Sequence, residues 1–141
     1  MLKKEDFSRL EINLNGCRDN YTYFRSKLHD STKLLVLVKA NAYGHGAEET
    51  VCALSNIADC FAVALIEEAI SIRSAVCGKD VLVFTPPTVE EDVFALQENG
   101  FIATVDSLST ARLVKRSRKA RECLFTCVRI STKSEKKRNF A

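Results

Sequence analysis

Lys39 is the residue best placed for chemistry, because it ends the most apolar run of the chain, residues 34–38. In parallel α/β folds, ligands lie at the carboxyl ends of the strands. Desolvation at such a position disfavours the ammonium form and makes the amine available as a nucleophile or base. Schiff-base chemistry with a carbonyl compound requires such an amine. The alternative is a Lys39 side chain that simply extends from the strand end into water.

Tyr43 lies four residues after Lys39 in a loop that also contains Gly44 and Gly46. Its phenol can donate a hydrogen bond to a ligand phosphate, or the ring can simply pack within the loop. The two glycines permit positive φ or a close backbone approach, and they precede a predicted helix N-terminus, which favours anions. His45, between the glycines, is either a ligand contact or a structural histidine.

The elements that must position these residues alternate along the chain. Buried-type apolar runs predict five strands, and amphipathic segments predict a helix after each of the first four strands. The strands are expected at residues 33–39, 61–65, 81–84, 101–105 and 124–128. This alternation predicts an α/β fold with a parallel sheet, either an open doubly wound sheet or a (β/α)8 barrel. Because a barrel takes about 250 residues, this chain would supply only about five of eight strands.

Several local signals predict where helices begin and end. Residues 9–14 alternate apolar and polar side chains and predict a leading strand, which a helix within 16–29 would follow. Thr88 and Glu91 have the spacing of a capping box, and either Asp106 or Ser107 can cap the next helix. The helix that starts at residue 66 is expected to continue to residue 76.

Length and composition exclude several classes of protein. The chain has 141 residues, 46% of them apolar and 28% charged, which is typical of one globular domain. It contains no apolar run near the ~20 residues of a membrane helix and no secretory signal, so we expect no membrane partner and a cytoplasmic location. Six cysteines without a C-x-x-C pair, and only two histidines, predict no metal site and no disulfide framework.

The net charge of +3 is unevenly distributed. Residues 1–111 carry ten basic and sixteen acidic side chains, whereas residues 112–141 carry eleven basic and two acidic ones. A basic tail can bind nucleic acid. This tail lacks interleaved aromatic residues and matches no nucleic-acid-binding motif, so we expect no nucleic-acid partner.

The nonapeptide at residues 38–46, Val-Lys-Ala-Asn-Ala-Tyr-Gly-His-Gly, resembles the pyridoxal-phosphate signature of the alanine racemase family. The resemblance covers about residues 9–120. Further similar segments are residues 11–14 with Asn20, 61–64 with 67–69, 85–87, and 104–107.

The resemblance implies a fold-type III pyridoxal-phosphate enzyme, with a partial (β/α)8 barrel preceded by one strand of a separate β domain. Residues 1–14 would be that leading strand, and residues 15–130 the N-terminal part of the barrel that binds the cofactor. Residues 131–141 would be a divergent basic tail. In the family, serine or broad-specificity amino-acid racemases share the signature, so they remain an alternative to an alanine racemase.

The implied activity is interconversion of L-alanine and D-alanine through a pyridoxal 5'-phosphate Schiff base, which supplies D-alanine for the cell wall. By resemblance, Lys39 forms this link and moves the α-proton on one face, and Tyr43 contacts the cofactor phosphate. The family is homodimeric, and a tyrosine from the partner subunit serves the opposite face. The remaining tyrosines here, Tyr21 and Tyr23, do not stand in such a context.

The end of the chain departs from the family pattern. A lysine, an Asp-Thr-Gly-Met-like turn and a cofactor-orienting arginine normally follow the fifth strand. Here Ser131 stands where the lysine would be, and only Arg138 falls at about the right distance. We therefore expect a truncated or frame-altered chain without racemase activity of its own, possessing at most cofactor binding. The alternatives are a solvated surface segment and a non-catalytic pyridoxal-phosphate-binding protein.

Overall fold

A computed structural model of the protein describes residues 10–116 and the backbone of 125–127. Five parallel strands form one sheet, and six helical segments connect or precede them. The strands are β1 (Leu35–Leu37), β2 (Cys60–Val63), β3 (Asp80–Val83), β4 (Ile102–Val105) and β5 (Phe125–Cys127). The helical segments are α1 (Leu14–Arg25), α2 (Lys39–Tyr43), α3 (Ala47–Leu54), α4 (Ile66–Ser71), α5 (Glu90–Glu98) and α6 (Leu108–Arg116).

The order of the strands decides between the two architectures that the alternating pattern left open. The strands pair in sequence order, β1-β2-β3-β4-β5, and each pair is parallel. A doubly wound sheet reverses its strand order at a switch point, whereas a (β/α)8 barrel adds each new strand beside the last. The sheet is therefore a partial barrel, which confirms the predicted α/β class.

The core lies between the sheet and the helices that cover it. Its most deeply buried side chains come from the strands, from the inner faces of α3 and α5, and from the turn that follows α4. They include Val51, Phe61, Val63, Ile72, Val81, Val83 and Leu96. Burying each such side chain stabilises the fold by about 1.5–3 kcal/mol relative to leaving it exposed to water. This packing between the sheet and the helices holds the strand ends in place.

Helix α1 packs against α3 and is tied to the amino end of β2 by hydrogen bonds. Tyr21 is buried, and its hydroxyl donates to the Asp59 carboxylate at 3.4 Å and accepts from the Asp59 N–H at 3.2 Å. Asp59 directly precedes β2, so this pair fixes the helix against the start of the sheet.

The predicted leading strand is wrong for residues 10–13, which pair with no strand among the described residues. Leu14 already belongs to α1, and the Asn13 side chain caps that helix by accepting from the Gly16 N–H at 3.2 Å. A strand needs a hydrogen-bonding neighbour, and the alternation of residues 9–14 could not reveal that no strand of the described part of the chain pairs with residues 10–13. The assignment of residues 1–14 to a second domain stays a prediction.

The predicted capping box at Thr88 and Glu91 is wrong by one residue. Asp92 accepts from the N–H groups of Thr88 and Val89, at 2.8 and 3.2 Å, so α5 begins at Glu90. Both carboxylates follow the cap closely enough to fit the motif, and the sequence alone does not select between them.

The start of α6 and the end of α4 can also be compared with the prediction. Ser107 accepts from the Thr110 N–H at 3.2 Å, which identifies it rather than Asp106 as the cap of α6. The helix predicted to reach residue 76 ends at Ser71 and continues as turns to Gly78. No helix of residues 10–116 is long and apolar enough to cross a bilayer.

Candidate functional site

Lys39 lies at the carboxyl end of β1, where the sequence pattern placed it. The preceding Val38 is 1% exposed, and its N–H donates to the Ala62 carbonyl at 2.8 Å, so β1 stays attached to β2 up to this point. The Lys39 side chain is half-buried. Its amine lies 5.8 Å from the centroid of the Tyr43 ring, within the range of a cation–π contact. The structure therefore brings the two predicted site residues together.

The backbone after Lys39 forms a left-handed turn. Ala40, Asn41, Ala42 and Tyr43 have φ of 50°, 54°, 53° and 55°. Left-handed backbone costs an L-residue other than glycine roughly 1–2 kcal/mol, with asparagine the best tolerated. The sequence predicts a loop here, with positive φ expected only at its glycines. The turn therefore needs support from the residues around it.

Asn41 provides part of that support. Its side-chain oxygen accepts from the N–H of Ala47, the first residue of α3, at 2.8 Å. Its carbonyl accepts from the N–H groups of Gly44 and Gly46, both at 3.0 Å. Asn41 thus ties the turn to the start of α3. The two residues of this side-chain bond are six positions apart, so no local capping motif in the sequence identifies Asn41.

The expectation that Gly44 and Gly46 precede an anion site is not supported. Their N–H groups donate to carbonyls within the turn, and α3 carries Glu48 and Glu49 in its first turn, where they would repel an anion. The glycines instead provide φ of 85° and 87°. They are needed to lead the chain out of the left-handed turn and into the helix.

Tyr43 and His45 take different roles at the end of the turn. Tyr43 is 59% exposed, so its ring is not packed within the loop, and its phenol faces solvent beside the Lys39 amine. His45 Nδ1 lies 2.9 Å from the Ala42 carbonyl. Because a carbonyl only accepts, Nδ1 must carry the proton, and His45 braces the turn as a structural histidine.

Glu68, in the first turn of α4, is a site residue that the sequence reasoning missed. One carboxylate oxygen accepts from the N–H groups of Ala64 and Leu65, at 2.8 and 3.1 Å. The other crosses to the adjacent strand end and accepts from the Ala40 N–H at 2.7 Å. A glutamate three residues after a strand–helix junction is a recognisable cap signal, but its bond to Ala40 spans 28 residues and has no local signature.

The surroundings of Glu68 favour its charged form. Burial by itself would raise the pKa of this carboxyl group, but hydrogen bonds from Ala40, Leu65 and Ala64 and the charge of Lys39 outweigh that effect. The net result is a pKa below the ordinary value of 4.5. The site therefore holds a carboxylate against the Lys39–Ala40 peptide.

The other candidate residues lie elsewhere. Tyr21 bonds with Asp59 at the opposite end of the sheet, and Tyr23 is exposed on α1 beside Phe24. Arg138 lies outside the described residues. Within the described part of the chain, no group of three histidine, cysteine or acidic side chains could hold a metal ion.

Comparison with known proteins identifies the family. The sequence profile described as "Alanine racemase, N-terminal domain" matches residues 12–136. An alanine racemase from Methanococcus maripaludis is 37% identical over 108 residues, which cover 75% of this chain and 28% of the relative. An alanine racemase from Aromatoleum aromaticum is 41% identical over 90 residues, covering 61% of this chain and 25% of the relative.

The solved structures agree with the sequence comparison. The crystal structure of alanine racemase from E. faecalis superimposes with a TM-score of 0.73 at 28% identity, covering 82% of this chain and 31% of that one. This chain thus spans less than a third of the length of these relatives. The profile, the relatives and the shared fold together show that the chain belongs to the alanine racemase family and corresponds to an N-terminal part of it.

Proposed function

We propose that this chain forms the cofactor-holding part of a pyridoxal-phosphate-dependent racemase that interconverts L-alanine and D-alanine. The observation that carries the proposal is the position of Lys39, a half-buried residue at the carboxyl end of β1 whose amine lies 5.8 Å from the Tyr43 ring. Both residues lie within the segment that matches the family profile, and the relatives that the chain resembles are alanine racemases.

The residues at this edge of the sheet fit pyridoxal phosphate. Lys39 supplies a primary amine, which forms no ion pair within 4.0 Å with the described residues. Tyr43 supplies an exposed hydroxyl donor for a phosphate. Leu65 and Phe84 follow β2 and β3 at the same edge and are 48% and 39% exposed, which provides apolar surface for a planar ring.

The chain's own residues would divide the work as follows. Lys39 would hold the cofactor covalently and, once its amine is released, would take or return the α-proton on its own face of the substrate. Tyr43 would orient the phosphate through its phenol. When bound, the cofactor withdraws electrons from the α-carbon and so makes the α-proton acidic.

A racemase also needs a proton-transfer group on the opposite face. Neither Tyr21 nor Tyr23 lies at the site edge, so we infer that neither of them supplies this group. A tyrosine of a partner subunit, as the family resemblance implies, would satisfy the requirement. The homodimer, the cytoplasmic location and the cell-wall role stay predictions.

The test is to trap the cofactor on the protein. The chain is incubated with pyridoxal phosphate and reduced with borohydride, and its peptides are mapped by mass spectrometry. We expect the label on Lys39 and its loss in Lys39→Ala. Lys33→Ala is the matched control, because Lys33 lies just before β1, at the opposite end of the same strand. Equal labelling of Lys33 and Lys39 in the unsubstituted chain would contradict the proposal.

A further inference from the structure

Helices α4 and α5 begin with the same kind of carboxylate cap, but the cap of α4, Glu68, makes one contact that the cap of α5 does not. In α5, one oxygen of Asp92 accepts from the N–H groups four and three residues before it, at 2.8 and 3.2 Å. In α4, one oxygen of Glu68 accepts from the equivalent N–H groups of Ala64 and Leu65, at 2.8 and 3.1 Å. An aspartate is therefore long enough for the local cap.

The longer side chain of Glu68 makes an additional contact. Its second oxygen reaches the carboxyl end of β1 and accepts from the Ala40 N–H at 2.7 Å. This N–H belongs to the peptide that joins Lys39 to Ala40, and a peptide is planar. Fixing the Ala40 N–H therefore fixes the direction in which the backbone leaves Lys39, just where the left-handed turn begins.

We propose that Glu68 is a positioning residue that orients Lys39 by clamping the Lys39–Ala40 peptide to the end of β2. This inference rests on the proposed function, because the orientation matters only if Lys39 holds the cofactor. Glu68 acts through the backbone, not by contact with substrate.

The structure offers a substitution that separates the two contacts of Glu68. Glu68→Asp keeps the negative charge and, as Asp92 demonstrates in α5, can keep the local cap. It is one methylene shorter and cannot also reach Ala40. Glu67→Asp is the matched control, because Glu67 lies in the same first turn but is exposed and makes neither contact.

The experiment measures pyridoxal phosphate bound to Lys39 in the full 141-residue chain. One measurement is the half-saturation concentration. The other is the visible circular dichroism per bound cofactor, a signal that an achiral ring acquires only when the protein holds it in one orientation. We expect Glu68→Asp to raise the half-saturation concentration about ten-fold, as for one lost bond to a charged group. The dichroism per bound cofactor should fall at least two-fold.

The possible outcomes separate this inference from the proposed function. If Glu68→Asp leaves both measurements at the level of Glu67→Asp while the unsubstituted chain binds normally at Lys39, Glu68 is only a helix cap and the inference is overturned. If Glu68→Asp lowers the thermal midpoint without changing the dichroism per bound cofactor, its role is structural and the inference is likewise overturned. If the unsubstituted chain does not bind at Lys39, the proposed function and this inference both fail.

Discussion

The carboxylate of Asp59 accepts a hydrogen bond at 2.7 Å from the backbone N–H of Leu34, a residue 25 positions earlier in the chain. The same oxygen lies 3.6 Å from the Arg25 guanidinium and accepts from the Tyr21 hydroxyl. Asp59 therefore joins the amino ends of β1 and β2, just as Glu68 joins their carboxyl ends. A carboxylate at each end holds the two strands in register.

Replacing Asp59 by alanine should destabilise the protein. The substitution leaves the Leu34 N–H without its acceptor, and an unsatisfied polar group costs about 1–3 kcal/mol. Urea unfolding at pH 7 measures the change in free energy. Asp30→Ala is the control, because Asp30 is exposed in the loop after α1 and should change the free energy by less than about 0.5 kcal/mol. Equal effects of the two substitutions would contradict the conclusion that Asp59 joins the amino ends of β1 and β2.

Tyr21 should make stability fall at alkaline pH. Burial, followed by the charge of Asp59, raises the pKa of the Tyr21 phenol above its ordinary value of 10.0. The phenol of the unfolded chain therefore ionises first, so stability is lost as the pH rises from about 10 towards the folded-state pKa. Unfolding of Tyr21→Phe should depend less steeply on pH in this range. Tyr23→Phe, which alters an exposed ring on the same helix, should retain the steeper dependence.

Glu68 should make stability fall at acid pH. Its folded-state pKa lies below 4.5, so its contribution is fully present above 4.5 and is lost as the pH falls through the folded-state value. Glu68→Gln should be less stable than the unsubstituted chain at pH 7 and should lose less stability on acidification. Unfolding curves from pH 7 to 3 measure both effects. A Glu68→Gln curve parallel to that of Glu67→Gln over the whole range would refute the prediction.

Tyr43→Phe should weaken binding of pyridoxal phosphate without preventing attachment to Lys39. The loss of one hydrogen bond to a charged phosphate is worth about 1.5–3 kcal/mol, which corresponds to roughly a ten- to hundred-fold increase in Kd. Titration followed by visible absorbance measures the change. Tyr23→Phe should leave Kd unaltered, and an unaltered Kd in Tyr43→Phe would mean that the phenol does not contact the phosphate.

Substitutions at Ala40 should report the handedness of the turn. Ala40 is exposed with φ of 50°, so Ala40→Gly removes a steric cost and should be neutral or stabilise the protein by up to about 1 kcal/mol. Ala40→Val adds a branched carbon in the same conformation and should destabilise it by more than about 1 kcal/mol. Urea unfolding of both variants is the measurement. If Ala40→Val were more stable than Ala40→Gly, the backbone at this position would be right-handed or extended.

The fold was largely predictable because its strands are apolar runs whose period is visible locally. The runs that begin at Phe61 and Val81 lie within one residue of the starts of β2 and β3. The helix starts that differed from the prediction depend on neighbouring residues that fit the same capping motif, as Glu91 and Asp92 do. The order of the strands, which separates a barrel from an open sheet, is a property of pairing and not of any one segment.

The site was predictable only in part. Lys39 and Tyr43 were predicted from the lysine after an apolar strand and from the family resemblance of residues 38–46. The structure places the Lys39 amine 5.8 Å from the Tyr43 ring, and the roles of both residues stay predictions. Glu68 and Asn41 were not found, because each acts on a backbone N–H of another element. The left-handed turn was not found either, since alanine and tyrosine ordinarily avoid that conformation.

The left-handed turn also has a consequence for protein engineering. The conformation of residues 38–46 is supported by the hydrogen bond between Asn41 and the start of α3, and by the hydrogen bond from Ala40 to Glu68 in the first turn of α4. A synthetic peptide of these nine residues should populate other conformers, because nothing outside it offsets the steric cost of its backbone. Grafting the nonapeptide onto a different barrel would therefore transfer a lysine without its geometry, unless the recipient also gains a glutamate in the first turn of the helix that follows the adjoining strand.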